Sequence, residues 1–188
     1  LITSWLGAEW STAPRRIGDK IGRLIGAKAG EIVATDSTSV NIFKALTAAL
    51  SLRRERTVIL SEATNFPTDV YMMQGIEAFS GGRVKAVTVA PDAVVDALND
   101  DVAVLLLTQV HYKSGRVRDM VAITKRAHEV GALVVWDLSH SAGAIPVDLN
   151  GANADFAIGC GYKYLNGGPG APAYLFAAAR HHAATPVL

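Results

Sequence analysis

At 188 residues and 19.8 kDa, with half its residues apolar and 19% charged, the chain is long enough to bury one substantial core and too short for several. Its formal charge of +1, from 18 Lys and Arg against 17 Asp and Glu spread along the sequence, offers no broad cationic face to a nucleic-acid backbone. A single cysteine, Cys160, excludes an intrachain disulfide and the two- or four-cysteine zinc patterns, and fits a reducing cytosol.

The longest apolar runs, such as 102–107 and 132–136, fall far short of the roughly 20 residues that cross a bilayer, which argues against membrane insertion. The chain opens Leu1-Ile2-Thr3-Ser4-Trp5, with neither an initiator Met nor a signal-peptide layout, and breaks off in the apolar Thr185-Pro186-Val187-Leu188. It therefore reads as the middle of a longer protein. Residues 1 to about 30 place Arg15, Arg16, Lys20 and Arg23 beside helically spaced Ile17, Ile21, Leu24 and Ile25, the pattern of a solvated amphipathic helix.

Beyond that point short β-rich apolar runs alternate with segments of helical period. Strands are predicted at 58–61, 84–89, 102–108, 133–137, 156–160 and 173–176, and helices at 39–51, 68–79 and 119–130. Several strands are apolar at consecutive positions, as a parallel sheet covered on both faces requires, so the predicted fold is a doubly wound, mostly parallel α/β domain. In such sheets ligands bind beyond the C-terminal ends of the strands, which directs attention to the polar residues that follow each run.

Taken in chain order, the first candidate is Asp36-Ser37-Thr38-Ser39-Val40-Asn41, where hydroxyls and free N–H groups at a helix start can cap the helix or hold a phosphate. No Walker-type loop is present and no Gly-x-Gly-x-x-Gly follows a strand, so nucleoside triphosphates and dinucleotides lose ground. After strand 58–61 come Asn65, Phe66, Pro67, Thr68 and Asp69: Phe66 is either core or a flat face for an aromatic cofactor, and Asp69 a first-turn acid or an acceptor. Thr108 closes strand 102–108 at its mouth, and the His111 and Tyr112 that follow are as suited to packing as to reaction. Asp119 stands as the N-cap of the next helix and Gly131 as its stop.

The two remaining positions carry the chemistry. Strand 133–137 ends in Asp137, followed by Leu138-Ser139-His140; Asp137 and His140 are two metal-type ligands without a third of comparable placement, so no metal is expected. Strand 156–160 runs into Gly161-Tyr162-Lys163-Tyr164. A lysine that closes a buried strand is either a snorkelling charge or a desolvated amine, and desolvation favours the neutral form that attacks a carbonyl. An acid after one strand and a lysine 26 residues later after the next can hold a pyridinium nitrogen from one side and its aldehyde carbon from the other.

These blocks, with Asn166-Gly167-Gly168-Pro169-Gly170, resemble the kynureninase family of pyridoxal 5'-phosphate enzymes, whose fold is the large cofactor-binding domain of fold type I. The resemblance extends across nearly the whole chain. It implies that residues 1–188 are the central part of that large domain, without the N-terminal segment and the C-terminal small domain. It implies Lys163, Tyr162 and Asp137 as catalytic residues: Lys163 in imine linkage to the cofactor, Asp137 on its ring nitrogen, Tyr162 near the phosphate as a proton donor. Thr38 and Ser39 would hold the phosphate, Phe66 would stack on the ring, His140 would lie beside it, and Asp69 and Thr108 would line the pocket. The reaction implied is hydrolysis of L-kynurenine or 3-hydroxykynurenine to L-alanine and anthranilate or its 3-hydroxy form, in the cytoplasm, by a homodimer, in tryptophan catabolism and NAD biosynthesis. The family's other contacts, a substrate-carboxylate Arg among them, match no residue here, so these residues alone are expected to bind cofactor poorly. A class V aminotransferase, a desulfurase and a non-catalytic α/β module stay open as alternatives.

Overall fold

The structure, a computed structural model, describes residues 2–185; the terminal Leu1 and Pro186-Val187-Leu188 lie outside the described residues. The elements run α1 (Ile2–Gly7), α2 (Ala13–Ile25), β1 (Ile32–Ala34), α3 (Thr38–Leu52), β2 (Val58–Glu62), α4 (Pro67–Phe79) and β3 (Lys85–Val89). They continue with β4 (Val102–Thr108), α5 (Met120–Glu129), β5 (Leu133–Asp137), β6 (Phe156–Cys160) and β7 (Ala173–Ala177), then a 3-10 segment over Ala179–Ala184.

The seven strands form one sheet in the order β1-β7-β6-β5-β4-β2-β3. Strands β3, β2, β4, β5 and β6 are parallel; β7 pairs antiparallel with β6, and β1 pairs antiparallel with β7 and so runs in the direction of the parallel set. The consecutive apolar residues of β4 and β5 face alternately into two cores: Leu105, Leu107, Val134 and Trp136 join the core that holds Ile25 and Phe176, while Val104, Leu106 and Val135 pack against Ile42, Leu46 and Met73 of α3 and α4. Every residue of β4, β5 and β6 is buried, which is why their periodicity is continuous. The exposed pattern of β3 follows from its edge position.

Local capping sets the helix boundaries. Ser37 Oγ accepts the Val40 N–H at 3.3 Å, so α3 begins one residue before the predicted start. Pro67 opens α4, again one residue early, because a first-turn position needs no N–H. Asp119 caps α5 by accepting the Ala122 N–H at 2.9 Å, and Gly131 takes φ +81° just past its end, both as predicted. Helix α2 departs from the simple amphipathic expectation. Its buried stripe is Gly18, Gly22 and Ile25, and a Cβ on Gly18 would collide with the Ile32 carbonyl of β1. This close approach leaves Ile17 and Leu24 exposed, alongside Trp5, Leu6 and Trp10.

At the end of the sheet opposite the strand C-termini, Asp155 ties three elements together. Its buried carboxylate accepts from Val134 N at 2.9 Å, His128 Nε2 at 2.7 Å, and Arg180 Nη2 and His181 Nε2 at 2.8 Å each. Burial by itself pushes this carboxyl up; the hydrogen bonds from His128 and His181, with Arg180, outweigh it and hold it well below the usual carboxylate range. Asp155→Ala is expected to cost about 3 kcal/mol at pH 7, because removing one partner strands the others. The folded value lies below the unfolded one, so this stabilisation is full at neutral pH and is lost as pH falls below the ordinary carboxylate range. Urea unfolding of both proteins at pH 7 and pH 3 checks this: the difference between them should shrink in acid.

Candidate active site

The C-terminal ends of β5 and β6 and the first turns of α3 and α4 open onto one cavity of about 590 Å³. It gathers Thr38, Ser39, Phe66, Asp69, Asp137, His140, Tyr162 and Lys163 from segments far apart in sequence.

Asp137 ends β5, paired in register with Thr108 of β4 on one side and Ile158 of β6 on the other. Its Oδ1 accepts the Ser139 N–H at 2.7 Å. Burial raises its carboxyl, against the opposing influence of Ser139, His140 and Lys163. Asp69, in the first turn of α4, is completely buried, and neither of its carboxylate oxygens has a hydrogen-bond partner. Burial and then the nearby Asp137 charge push it well above its ordinary value, with Lys163 and then the Asn65 side chain opposing. Two buried carboxyls this close fit a ligand that brings a protonated nitrogen to the cavity floor.

Lys163 reaches the same cavity from the turn after β6. Its Nζ lies 3.0 Å from His140 Nε2 and 5.5 Å from the Phe66 ring centroid. Burial lowers the His140 pKa and Lys163 lowers it further, so the imidazole is held neutral beside the amine. Tyr162 is half exposed and lies on the same side, with the Lys163 Nζ 5.8 Å from its ring.

The other end of the cavity suits an anion. Asp36 adopts φ +52°, turning the chain so that the start of α3 faces inward. The Thr38 and Ser39 amides donate to no backbone acceptor, as the first turn of a helix requires. The neighbouring Asp36 carboxylate is occupied by Lys44 at 2.6 Å and by Thr35 Oγ1, both of which hold its pKa down.

Thr108 does not reach this cavity. Its hydroxyl donates to Asn65 Oδ1, which also accepts the Phe66 N–H at 2.8 Å, while Asn65 Nδ2 donates to Ser61 Oγ at 3.1 Å. Thr108 thus anchors the turn that presents Phe66, a supporting position that a strand-end threonine does not announce. Sequence reasoning gave Asn65 no role, although its place between a strand and Pro67 marks a turn. It also overlooked Tyr174, fully buried in β7 and opposite Gly159 in the antiparallel register, where a Cβ would meet its ring. No local signal reveals that pairing. Ser139 and the Gly170-Ala171-Pro172-Ala173 stretch complete the lining.

Comparison with known proteins gives the following. Residues 3–187 match the family described as Aminotransferase class-V. The chain is 54% identical over 186 residues to a kynureninase of Deinococcus radiodurans, covering 96% of this chain and 45% of that protein. It is 49% identical over 181 residues to a kynureninase of Pseudomonas fluorescens, covering 94% and 44%. The chain therefore spans about 45% of the length of the curated relatives it matches. Among solved structures, a NifS-like protein superposes with TM-score 0.77 at 15% identity, over 91% of this chain and 48% of that one. An apo cysteine desulfurase from Thermococcus onnurineus NA1 superposes with TM-score 0.76 at 21% identity, over 92% and 44%. At these identities the structural likeness speaks for the fold alone.

Proposed function

Because the chain belongs to the aminotransferase class-V family, we propose that it forms the central, cofactor-binding part of a kynureninase, with pyridoxal 5'-phosphate as cofactor and L-kynurenine or 3-hydroxykynurenine as substrate. The observation that carries this reading is the meeting of Lys163, the Asp137–Asp69 carboxyl pair and Phe66 in one cavity whose far end is the start of α3. Those residues fit the cofactor: the buried Asp137 carboxyl for its ring nitrogen, a half-buried amine for its aldehyde, an aromatic face for its ring, and free amides for its phosphate.

When bound, the cofactor supplies an electron sink for the pair released at the substrate's Cα and then from the Cβ–Cγ bond. Lys163 Nζ would hold the cofactor's aldehyde carbon and, when free, would carry the Cα proton. Asp137 would face the ring nitrogen and favour its protonated form, and Asp69, raised by burial and by Asp137, would not add a second charge there. Phe66 excludes water from one ring face. The amides and hydroxyls of Thr38 and Ser39 hold the phosphate against the positive end of α3. His140, neutral and 3.0 Å from Lys163, accepts from that amine and so orients it. With water added to the γ-carbonyl, the Cβ–Cγ electron pair would stay with Cβ and the aromatic acid would leave as the other product; Tyr162 would donate the proton that Cβ gains and Lys163 would return the proton it took from Cα, which together give alanine.

The proposed partner is a second copy of the chain in a cytoplasmic homodimer, supported by the exposed Trp5, Leu6, Trp10, Ile17 and Leu24. No helix among the described residues is long and apolar enough to cross a membrane. Cys160, buried at the end of β6, is placed as a packed residue and not as an exposed nucleophile. The full-length protein with pyridoxal phosphate should release anthranilate and alanine in equal amounts from kynurenine. Alanine released from cysteine, with no anthranilate from kynurenine, would replace this reading with the desulfurase alternative.

A further inference from the structure

The segment between β4 and α5 folds back on itself as a short hairpin, with Val110 bridging Val117, His111 N–H donating to Arg116 O at 2.9 Å and Gly115 N–H to His111 O at 2.8 Å. Two anchors fasten it to the sheet. Arg118 pairs with the buried Glu62 at the end of β2, and His111 Nε2–H donates to Thr64 O at 2.9 Å. His111 Nδ1 lies 3.1 Å from Ser114 Oγ and 3.3 Å from the Lys113 and Ser114 amides, so contacts on both ring nitrogens fix the orientation of the ring.

This fixed arm presents Tyr112 to the cavity wall from outside. The Tyr112 ring stacks on His140, with centroids 6.4 Å apart and planes at 25°, and meets Phe66 edge-on at 5.1 Å and 77°. It also packs on His111 at 5.3 Å. Tyr112 itself is absent from the cavity lining. The His140 ring has one hydrogen bond, to Lys163, and its buried Nδ1 has no partner. Lys163 must leave that contact whenever its amine engages an aldehyde. The aromatic stack is then the contact that still sets the plane of the imidazole.

We propose that Tyr112 is a positioning residue for the reaction: its ring, held by the Glu62–Arg118 and His111–Thr64 anchors, fixes the orientation of His140 and braces Phe66 while Lys163 changes partners. This rests on the reading of His140, Phe66 and Lys163 as site residues. Its test needs neither cofactor nor substrate, so it can fail or succeed independently of the kynureninase assay. The titratable groups facing His140 are Lys163, Asp137 and His111, which the substitutions below leave in place, and Tyr112 itself, whose hydroxyl Tyr112→Phe removes without removing the ring.

The experiment is an NMR titration of the His140 ring in the full chain without cofactor, the signal being assigned by its loss in His140→Gln. Tyr112→Ala exposes the ring and removes part of the burial that lowers its pKa, so the midpoint should rise by about half a pH unit, while Tyr112→Phe should leave it in place. A nuclear Overhauser contact between the Tyr112 and His140 ring protons is expected in the unmodified chain and does not depend on any variant folding. An unmoved midpoint in Tyr112→Ala, an equal shift in Tyr112→Phe, or absence of the ring contact would each overturn the proposal.

Discussion

Lys163→Ala is expected to lower kcat by about 10,000-fold and to abolish the covalent adduct that borohydride fixes between pyridoxal phosphate and the protein. Lys163 is the one amine in the cavity lining, and its Nζ sits between His140 Nε2 and the Phe66 face, so no neighbouring lysine replaces it. In the proposed function the same group would serve twice, as attachment point and as carrier of the Cα proton, and loss of a residue with two roles costs more than either role alone. The fold should survive the change at a cost that depends on pH. Lys163 is half buried, and its charge opposes the rise of the buried Asp69 and Asp137 carboxyls, so its removal pushes both further up. Urea unfolding without cofactor should therefore show the variant losing stability relative to the parent at pH 7 and less so at pH 4, where those carboxyls are protonated in both proteins. Peptide mapping after borohydride treatment, together with kcat, decides the matter. An adduct on another lysine, with activity within tenfold of the parent, would refute the assignment.

The second large effect is at Asp137. Asp137→Asn keeps the shape of the side chain and the acceptor for the Ser139 N–H, but removes the charge, and should lower kcat by about 1,000-fold. It should also make the cofactor-free protein more stable. Burial raises the Asp137 carboxyl above its unfolded value, so its ionisation works against folding. The penalty is absent below the ordinary carboxylate range and grows as pH rises toward the folded value, and the amide never incurs it. Its repulsion with Asp69 disappears as well, so the Asp69 carboxyl should fall in the variant. Urea unfolding at pH 4 and pH 7 should show the variant's advantage growing with pH. A variant less stable than its parent at pH 7 would contradict the account, as would one that retains full turnover. A residue that costs stability while it waits for a ligand is what a preformed site contains.

The legibility of this site follows the same physics as that of the fold. Strands 102–108, 133–137 and 156–160 were readable to the residue because both faces of each are buried and polar residues begin where the sheet ends. Asp137 at the end of one of them and Lys163 just past another were readable with them. Strand β1 was not: three residues give no periodicity, and it exists because Tyr174, Leu175 and Phe176 of β7 offer an antiparallel edge. The helical spacing in α2 was real, but the buried face was the one bearing Gly18 and Gly22, since contact with β1 leaves no room for a side chain.

Local pattern and strand-end chemistry by themselves determined a doubly wound sheet and a lysine and an acid at the C-terminal edge of its strands, because burial and hydrogen bonding constrain residue type along the chain. Only the tertiary structure decided that Asp69 shares its burial with Asp137, that Thr108 supports Phe66 through Asn65, and that Tyr112 stacks on His140. Those contacts join residues from different strands, helices and loops. Their distances depend on sheet order and register, which no single stretch of sequence carries.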